Sequence, residues 1–268
     1  MALHPTALID PAAFIDASAH IGPYAVIGPE VHIGAGVVLG PHAVVVSHTR
    51  VGKGCRIHTH AVVGDTPQDL AFPGKPSWVE IGEGVVIREG VTIHRGTKPD
   101  SVTRVGDGCF LMANSHLAHN VALGRRVMVA NGALLAGYVE VGEGAFISGN
   151  AAIHQFCRIG RLAMVGGGST LSQDVPPFCM TRTGGCNEVV GLNVVGLRRA
   201  GFTAEARLEI KRAFNLLYRQ SQPLARAIER IRAEFPPGPA RELADFAAAT
   251  KRGLCALSRR SRGVEESD

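Results

Sequence analysis

The stretch IGPYAVIGPEVHIGAGVVLG, residues 21–40, places an aliphatic residue at every sixth position and follows each one with glycine. In steps of six, the pattern runs from Ile9 to Val63, again from Ile81 to Ile93, and again from Val105 to Leu171. Every position in the series holds Ile, Leu or Val. A period of six fits neither an α-helix nor the alternation of a single strand, but it is typical of a solenoid of short strands and tight turns.

The residue two places before each aliphatic position is small or β-branched, which suits a narrower place in the same interior. Three strands close a triangular coil of about 18 residues, so residues i and i+18 are expected to stack about 4.8 Å apart. Cys55, Cys109 and Cys157 occupy the small interior position and are interpreted as packing residues rather than ligands. The sequence therefore predicts a parallel β-helix over residues 1–189.

Two segments interrupt the period without changing its phase. Residues 65–78 and 95–104 are rich in turn-forming residues, and we interpret them as loops expelled from the coil, a common place for functional residues. From about residue 190 the composition shifts to Ala, Arg, Glu and Leu, with apolar residues at helical spacing. We therefore predict a C-terminal helical domain of three helices over 190–258 and a frayed tail over 259–268.

Composition limits the class of protein. The chain has 268 residues, 46% of them hydrophobic, and a net charge of +5. Its basic excess is too diffuse to indicate nucleic acid, but it suits an acidic protein partner. No apolar run has the length of a membrane helix, the start of the chain lacks the features of a secretory signal, and the six cysteines form no CxxC pair. We expect a cytoplasmic protein without a transmembrane segment.

Stacking by 18 residues brings polar side chains to one edge of an otherwise aliphatic solenoid. His119 is expected beside Gly137 and Gln155, with His154 and Asn120 close by. An imidazole is the usual general base for deprotonating a hydroxyl group. A glycine can offer its backbone N–H to a developing oxyanion. This edge is therefore the predicted catalytic site. The alternative is that these residues are ordinary surface histidines with no catalytic role.

The hexapeptide pattern resembles that of the left-handed β-helix acyltransferases, and the left hand is taken from this resemblance, since periodicity does not show it. The chain is further similar to the acyl-carrier-protein-dependent UDP-N-acetylglucosamine O-acyltransferase family. The strings that carry this likeness are spread over nearly the whole chain: Pro67-Gln68-Asp69-Leu70, Val91 to Thr97, Ala118-His119-Asn120, Ala136-Gly137-Tyr138, Ala152 to Cys157, Gln173 to Pro177, and Gly191 to Phe202.

The family resemblance implies an all-β left-handed parallel β-helix with a C-terminal α-helical domain, assembled as a homotrimer with sites between subunits. It implies transfer of an acyl chain from acyl carrier protein to the 3-hydroxyl of UDP-N-acetylglucosamine, the first step of lipid A biosynthesis. It implies no metal and no cofactor beyond the carrier-bound acyl chain.

The resemblance also assigns roles to residues. His119 matches the general base, Gly137 the oxyanion donor, and Asn120 the neighbour of the base. Gly167 matches the position that limits acyl length. Positions around the acceptor, the acyl chain and the nucleotide sugar are matched by Gln68, Asp69, His94, His116, Tyr138, His154, Gln155, Asn193 and Arg199. Arginines expected to contact the acidic carrier protein are Arg125, Arg126, Arg158, Arg161 and Arg198.

Four positions depart from the family pattern: Asn120 replaces Asp, Tyr138 and Cys186 replace His, and Val195 replaces Glu. An amide can orient an imidazole but cannot stabilise imidazolium by charge. These departures leave open a diverged paralogue that acts on another UDP-sugar, and a binding trimer without catalysis. A zinc-dependent, carbonic-anhydrase-like trimer using His94, His116 and His119 is a further alternative.

Overall fold

The computed structural model describes residues 2–258, and the predicted frayed tail at 259–268 lies outside the described residues. Short parallel strands follow one another at six-residue spacing and are joined by tight turns. The strands of the coil are β1 (Ala2–Leu3), β2 (Leu8–Ile9), β3 (Phe14–Ile15), β4 (His20–Ile21), β5 (Val26–Ile27), β6 (His32–Ile33), β7 (Val38–Leu39), β8 (Val44–Val45), β9 (Thr49–Val51), β10 (Arg56–Ile57), β11 (Val62–Asp65), β12 (Trp78–Ile81), β13 (Val86–Ile87), β14 (Thr92–His94), β15 (Val102–Val105), β16 (Phe110–Leu111), β17 (His116–Leu117), β18 (Ala122–Leu123), β19 (Met128–Val129), β20 (Leu134–Leu135), β21 (Glu140–Val141), β22 (Phe146–Ile147), β23 (Ala152–Ile153), β24 (Arg158–Ile159), β25 (Met164–Val165) and β26 (Thr170–Leu171).

Every third strand belongs to the same sheet, so the coil has three flat faces. The first sheet stacks β1, β4 and their successors to β25, the second runs from β2 to β26, and the third from β3 to β24. Ile9 pairs with Ile27 and Leu117 with Leu135, which is the predicted offset of one 18-residue lap. The aliphatic residue of each strand points inward and forms a ladder with its neighbours, and these ladders are the core. Cys55, Cys109 and Cys157 are fully buried in it, as expected for packing residues.

The outward residues differ between the three faces. On the third sheet many are charged, as at Arg50, Glu80, Arg104 and Glu140. The outward residues along the later strands of the first sheet are apolar: Phe110, Met128, Phe146, Met164 and Met180. Those of the second sheet are also mostly apolar at its start: Leu8, Val26, Val44 and Val62. Two faces of the prism are therefore suited to contact with another protein surface and one to solvent.

The two interruptions leave the coil as predicted, but with shorter bounds. Strand β11 continues to Asp65 and β12 begins at Trp78, so the first loop is 66–77. Strand β15 begins at Val102, so the second loop ends at Ser101. The predicted bounds 65–78 and 95–104 were too wide for two reasons. Strand β11 extends to Asp65 by pairing with β14, and β12 and β15 lengthen by pairing with each other, Trp78 opposite Val102.

The last part of the chain folds back on the end of the β-helix. Strand β27 (Cys179–Thr181) pairs antiparallel with β28 (Glu188–Leu192), which also pairs with β29 (Ala256–Leu257). Four helices lie between β28 and β29: α1 (Val194–Arg199), α2 (Ala204–Tyr218), α3 (Leu224–Glu234) and α4 (Pro239–Ala248). The prediction of three helices was wrong because α1 has only six residues and carries no amphipathic repeat.

Within residues 2–258, no helix has both the length and the apolar character needed to cross a membrane.

Candidate active site

One edge of the coil carries the predicted catalytic residues. The Tyr138 N–H donates to the His119 carbonyl (3.1 Å) and the Phe156 N–H donates to the Gly137 carbonyl (3.0 Å). The turns that hold residues 119, 137 and 155 therefore stack directly in three successive laps. The structure places His119, Gly137 and Gln155 on one edge of the prism, between the second and third sheets.

Gly137 lies directly beneath the imidazole ring of His119. A Cβ atom at position 137 would lie 2.4 Å from Cε1 and 2.6 Å from Nε2 of His119, far closer than two such atoms can approach. The absence of a side chain at residue 137 therefore makes room for the ring. No hydrogen bond within residues 2–258 uses the Gly137 N–H, so it is available to an incoming group.

Asn120 holds the other side of the His119 ring. Its Oδ1 lies 3.1 Å from His119 Nδ1 and also accepts a hydrogen bond from the Thr97 N–H at 2.9 Å. The Asn120 backbone has a positive φ of 60°, a conformation that Asn tolerates well, and its N–H donates to Thr103 Oγ1 at 2.7 Å. Asn120 is thus fixed through both its backbone and its side chain.

The next two laps continue this edge with aromatic rings. Tyr138 contacts His119 edge-on with ring centroids 5.3 Å apart, and it stacks on Phe156 at 5.0 Å. The Tyr138 hydroxyl is buried and has no hydrogen-bond partner within the described residues. Burial raises the pKa of Tyr138, and the nearby Asp69 carboxylate raises it further. The phenol is therefore neutral and has a free donor.

His94 and His116 pack beside the catalytic edge as a pair, with ring centroids 4.8 Å apart. Burial lowers the pKa of His116 to about 4, with a smaller contribution from His94, and burial also lowers the pKa of His94. His116 Nδ1 shares a hydrogen bond of 2.7 Å with Thr92 Oγ1. Both rings are therefore neutral at pH 7. Residues 2–258 of one chain contain no group of three or more His, Cys, Asp or Glu side chains arranged to hold a metal ion.

A cleft of about 730 Å³ opens beside His119 on the outer face of the second sheet. Its walls are mainly apolar, with polar groups at the His119 end and at the far end. The cleft is lined by residues that include Gln68, His116, Leu134, Ala152, His154 and Cys186. An apolar trough that ends at an imidazole can hold an alkyl chain with its reactive end at the base.

Gln155 and Gly167 are among the predicted site residues that do not line this cleft. Gln155 is exposed on the lap beyond Gly137. Gly167 stacks on Gly149 through the turn between the first and second sheets, at the opposite edge of the second sheet from His119. A Cβ at position 167 would lie 3.4 Å from the Gly149 carbonyl oxygen, an ordinary van der Waals contact. His154 lines the far end of the cleft, where Arg252 donates to its Nδ1 at 3.2 Å.

The first expelled loop reaches the catalytic edge. Asp69 accepts a hydrogen bond of 2.6 Å from Thr97 Oγ1, and the adjacent Gln68 lines the cleft. The hydrogen bond from Thr97 and a second from the Ala71 N–H lower the pKa of Asp69, and the nearby His119 lowers it further. The Asp69 carboxylate is therefore anionic and interacts electrostatically with His119.

Asn193 and Arg199 do not lie near His119 in this chain. They line a second cleft, of about 870 Å³, on the outer face of the first sheet, together with Met128, Met164 and Val195. The Asn193 side chain is already engaged, because its Oδ1 accepts from the Gly196 N–H and its Nδ2 donates to the Leu162 carbonyl, both at 2.9 Å. Arg199 is exposed at the end of α1. Of this predicted pair, the guanidinium is the group that remains free to bind a ligand.

Two of the arginines predicted to contact a carrier protein have internal partners. Arg161 makes a two-pronged ion pair with Glu242 of α4, with Nη2 to Oε2 at 2.7 Å. The Arg158 guanidinium lies 4.2 Å from the centre of the Phe246 ring. Arg158 and Arg161 therefore attach the helical domain to the β-helix, and their role as carrier contacts stays a prediction. Arg125 and Arg126 pair with Asp107 and Glu143 on the surface, and Arg198 is exposed.

Sequence reasoning missed Thr97, Thr103 and Arg252 as members of this site. Thr97 was part of a quoted string, but its position in an expelled loop gives no periodic signal. Arg252 reaches His154 from a segment 98 residues further along the chain, and no local pattern indicates that contact.

The comparisons with known proteins agree with this fold. A family model described as UDP N-acetylglucosamine O-acyltransferase, domain 2, matches residues 174–255, and one described as bacterial transferase hexapeptide (six repeats) matches 6–41 and 103–137. The acyl-(acyl-carrier-protein)–UDP-N-acetylglucosamine O-acyltransferase of Thermodesulfovibrio yellowstonii is 44% identical over 94% of this chain and 98% of its own. The corresponding protein of Alkalilimnicola ehrlichii is 45% identical over the same two shares.

The likeness extends to solved structures. The Francisella novicida UDP-N-acetylglucosamine acyltransferase has a TM-score of 0.93 and 34% sequence identity, covering 98% of this chain and 97% of that chain. This match, together with the hexapeptide model, confirms the predicted left-handed parallel β-helix with C-terminal helices.

Proposed function

This chain belongs to the family of acyl-(acyl-carrier-protein)–UDP-N-acetylglucosamine O-acyltransferases, and we propose that it transfers an acyl chain from acyl carrier protein to the 3-hydroxyl of UDP-N-acetylglucosamine. A 3-hydroxyacyl chain is the expected donor, and the product would enter lipid A biosynthesis at its first step. The observation that carries the proposal is the His119 ring lying over the bare Gly137 backbone at the head of an apolar cleft.

The proposed mechanism uses these groups in sequence. His119 Nε2 accepts the proton of the sugar hydroxyl as its oxygen attacks the thioester carbonyl carbon. The carbonyl oxygen becomes an oxyanion, and the Gly137 N–H donates a hydrogen bond to it. The intermediate then expels the carrier thiolate, and His119 donates its proton to this thiolate. The products are an ester and a thiol. The thioester is itself an activated acyl donor, so the proposal includes no metal or organic cofactor.

We place the complete site between two copies of the chain in a homotrimer. The His119 cleft lies on the second sheet, whereas the Arg199 cleft lies on the first sheet. These two faces carry the apolar outward residues, and the charged third sheet is suited to solvent. Packing the first sheet of one copy against the second sheet of the next is a heterologous contact, and three such contacts around a triangular prism form a closed ring. Arg199 of one copy would then face His119 of another, where its guanidinium can bind the diphosphate.

A cytoplasmic location is also part of the proposal. All six cysteines are unpaired, which is typical of a reducing compartment.

The substrate assignment is tested by incubating the protein with a panel of acyl carrier protein thioesters and UDP-sugars and identifying the products by mass. We expect UDP-N-acetylglucosamine to gain one acyl group in an alkali-labile ester. A product formed only with another UDP-sugar would show that Tyr138, Cys186 and Val195 have changed the acceptor. A folded protein that acylates no UDP-sugar in the panel would contradict the proposed function.

A further inference from the structure

The hydrogen bonds around Asn120 determine which nitrogen of His119 carries its proton. The Thr97 backbone N–H can only donate, so the Asn120 side-chain atom that it meets must be the amide oxygen. The same oxygen faces His119 Nδ1 at 3.1 Å, and a shared acceptor requires a hydrogen on that nitrogen. Nε2 is then left with its lone pair, and this is the nitrogen that lies over Gly137. Thr97 thus selects the tautomer through Asn120.

A neutral amide does not supply the negative charge that would stabilise a protonated imidazole, and the structure offers this charge elsewhere. The Asp69 carboxylate is held by Thr97 Oγ1 at 2.6 Å, so one threonine contacts both Asn120 and Asp69. Asp69 and His119 interact electrostatically. The other titratable groups that face this part of the site, from strands β11, β14 and β17 and from the next lap, are Asp65, His94, His116 and Tyr138.

Among these groups, Asp69 is the anion that interacts electrostatically with His119. Burial lowers the pKa of His94 and of His116, so neither ring adds a positive charge at neutral pH. Tyr138 is neutral, because burial raises its pKa. Asp65 acts on His94, whose pKa it tends to raise. Asp69 is anionic and is held by two hydrogen bonds, from Thr97 and from the Ala71 N–H at 2.9 Å.

We propose that Thr97 and Asp69 are positioning residues for His119: the Thr97 N–H fixes the Asn120 amide so that Nε2 is free to accept a proton, and the Asp69 carboxylate stabilises the imidazolium that forms. This inference rests on the proposed role of His119 as general base. It means that the compensating charge comes from Asp69 of the expelled loop and not from position 120, where the family pattern has Asp. The neutral Asn120 is therefore compatible with catalysis.

The test is the pH profile of kcat/KM for variants that remove or move the charge. Asp69→Asn should shift the acidic limb to lower pH, because the protonated base loses its anion, and Asn120→Asp should shift it to higher pH. A charge within a few ångströms moves such a midpoint by about one pH unit. The double variant Asp69→Asn/Asn120→Asp should return toward the wild-type midpoint, since it relocates one negative charge without deleting it.

Thr97 provides a matched pair of variants. Thr97→Val keeps the backbone N–H that holds Asn120 but loses the hydroxyl that anchors Asp69, so its acidic limb should shift in the same direction as that of Asp69→Asn. Thr97→Ser keeps both groups and should behave like the wild type. Asp10→Asn removes a carboxylate in a distant exposed turn and should leave the limb unchanged.

The outcomes separate this inference from the proposed function. If Asp69→Asn and Thr97→Val lower the rate equally at every pH without moving the limb, Asp69 acts only on substrate binding and the inference is wrong, although His119 can still be the base. If His119→Ala retains the wild-type rate and pH profile, His119 is not the general base, and the role proposed for Thr97 and Asp69 is rejected with it.

Discussion

Replacing His119 with alanine is expected to lower kcat for acyl transfer by about 10³-fold, since a positioned general base contributes about 10²–10⁴-fold. The ring borders the cleft and is only half-buried, so its loss should leave the aliphatic core and the thermal unfolding midpoint nearly unchanged. The acidic limb of the pH profile should disappear together with the base. Steady-state kinetics with acyl carrier protein thioester and UDP-N-acetylglucosamine measure both effects.

The matched control is His32→Ala, which removes an exposed imidazole from the charged third sheet. It should keep the wild-type kcat. If His119→Ala is folded and transfers acyl groups at the rate of His32→Ala, then His119 is not the base.

Gly137→Ala is the second change with a large expected effect. The added Cβ would lie 2.4 Å from Cε1 of His119, so the ring must move away from the position that the substrate hydroxyl requires. A displacement of about 1 Å in a catalytic group can cost on the order of 10²-fold in rate. Interference with the Gly137 N–H as an oxyanion donor would add to this loss. We therefore expect kcat to fall by about 10²–10³-fold with little change in KM.

Gly191→Ala is the matched control for that variant. It makes the same substitution at a glycine of β28, where the added Cβ meets no atom within 4 Å. It should retain wild-type kinetics. A Gly137→Ala variant with a wild-type kcat would show that catalysis does not depend on the observed position of the His119 ring over residue 137.

The coil and its catalytic edge were predictable from the sequence for one reason. A strict period of six determines which residues stack. Turns that are 18 residues apart therefore lie next to each other, irrespective of the side chains that they carry. His119, Gly137 and Gln155 needed no further information to be placed on one edge. The same arithmetic identified Cys55, Cys109 and Cys157 as interior residues.

The contacts that leave the coil were not predictable in this way. The Asp69 loop is outside the repeat, so its approach to Thr97 depends on the loop conformation rather than on register. Arg161 and Glu242 are 81 residues apart and meet only because the helical domain folds back on the coil. The sequence therefore suggested that basic residues on the coil bind a partner protein, although Arg158 and Arg161 contact the helical domain of the same chain.

The proposed catalytic site is assembled from two faces that belong to different copies of the chain. Subunit mixing tests this assembly most directly. His119→Gln and Arg199→Ala are each expected to have little activity at UDP-N-acetylglucosamine concentrations well below KM. Trimers reassembled from an equal mixture should recover about a quarter of the wild-type rate, because half of the sites receive an intact His119 and half of those also face an intact Arg199. Activity in the mixture no greater than the mean of the two variants alone would contradict the claim.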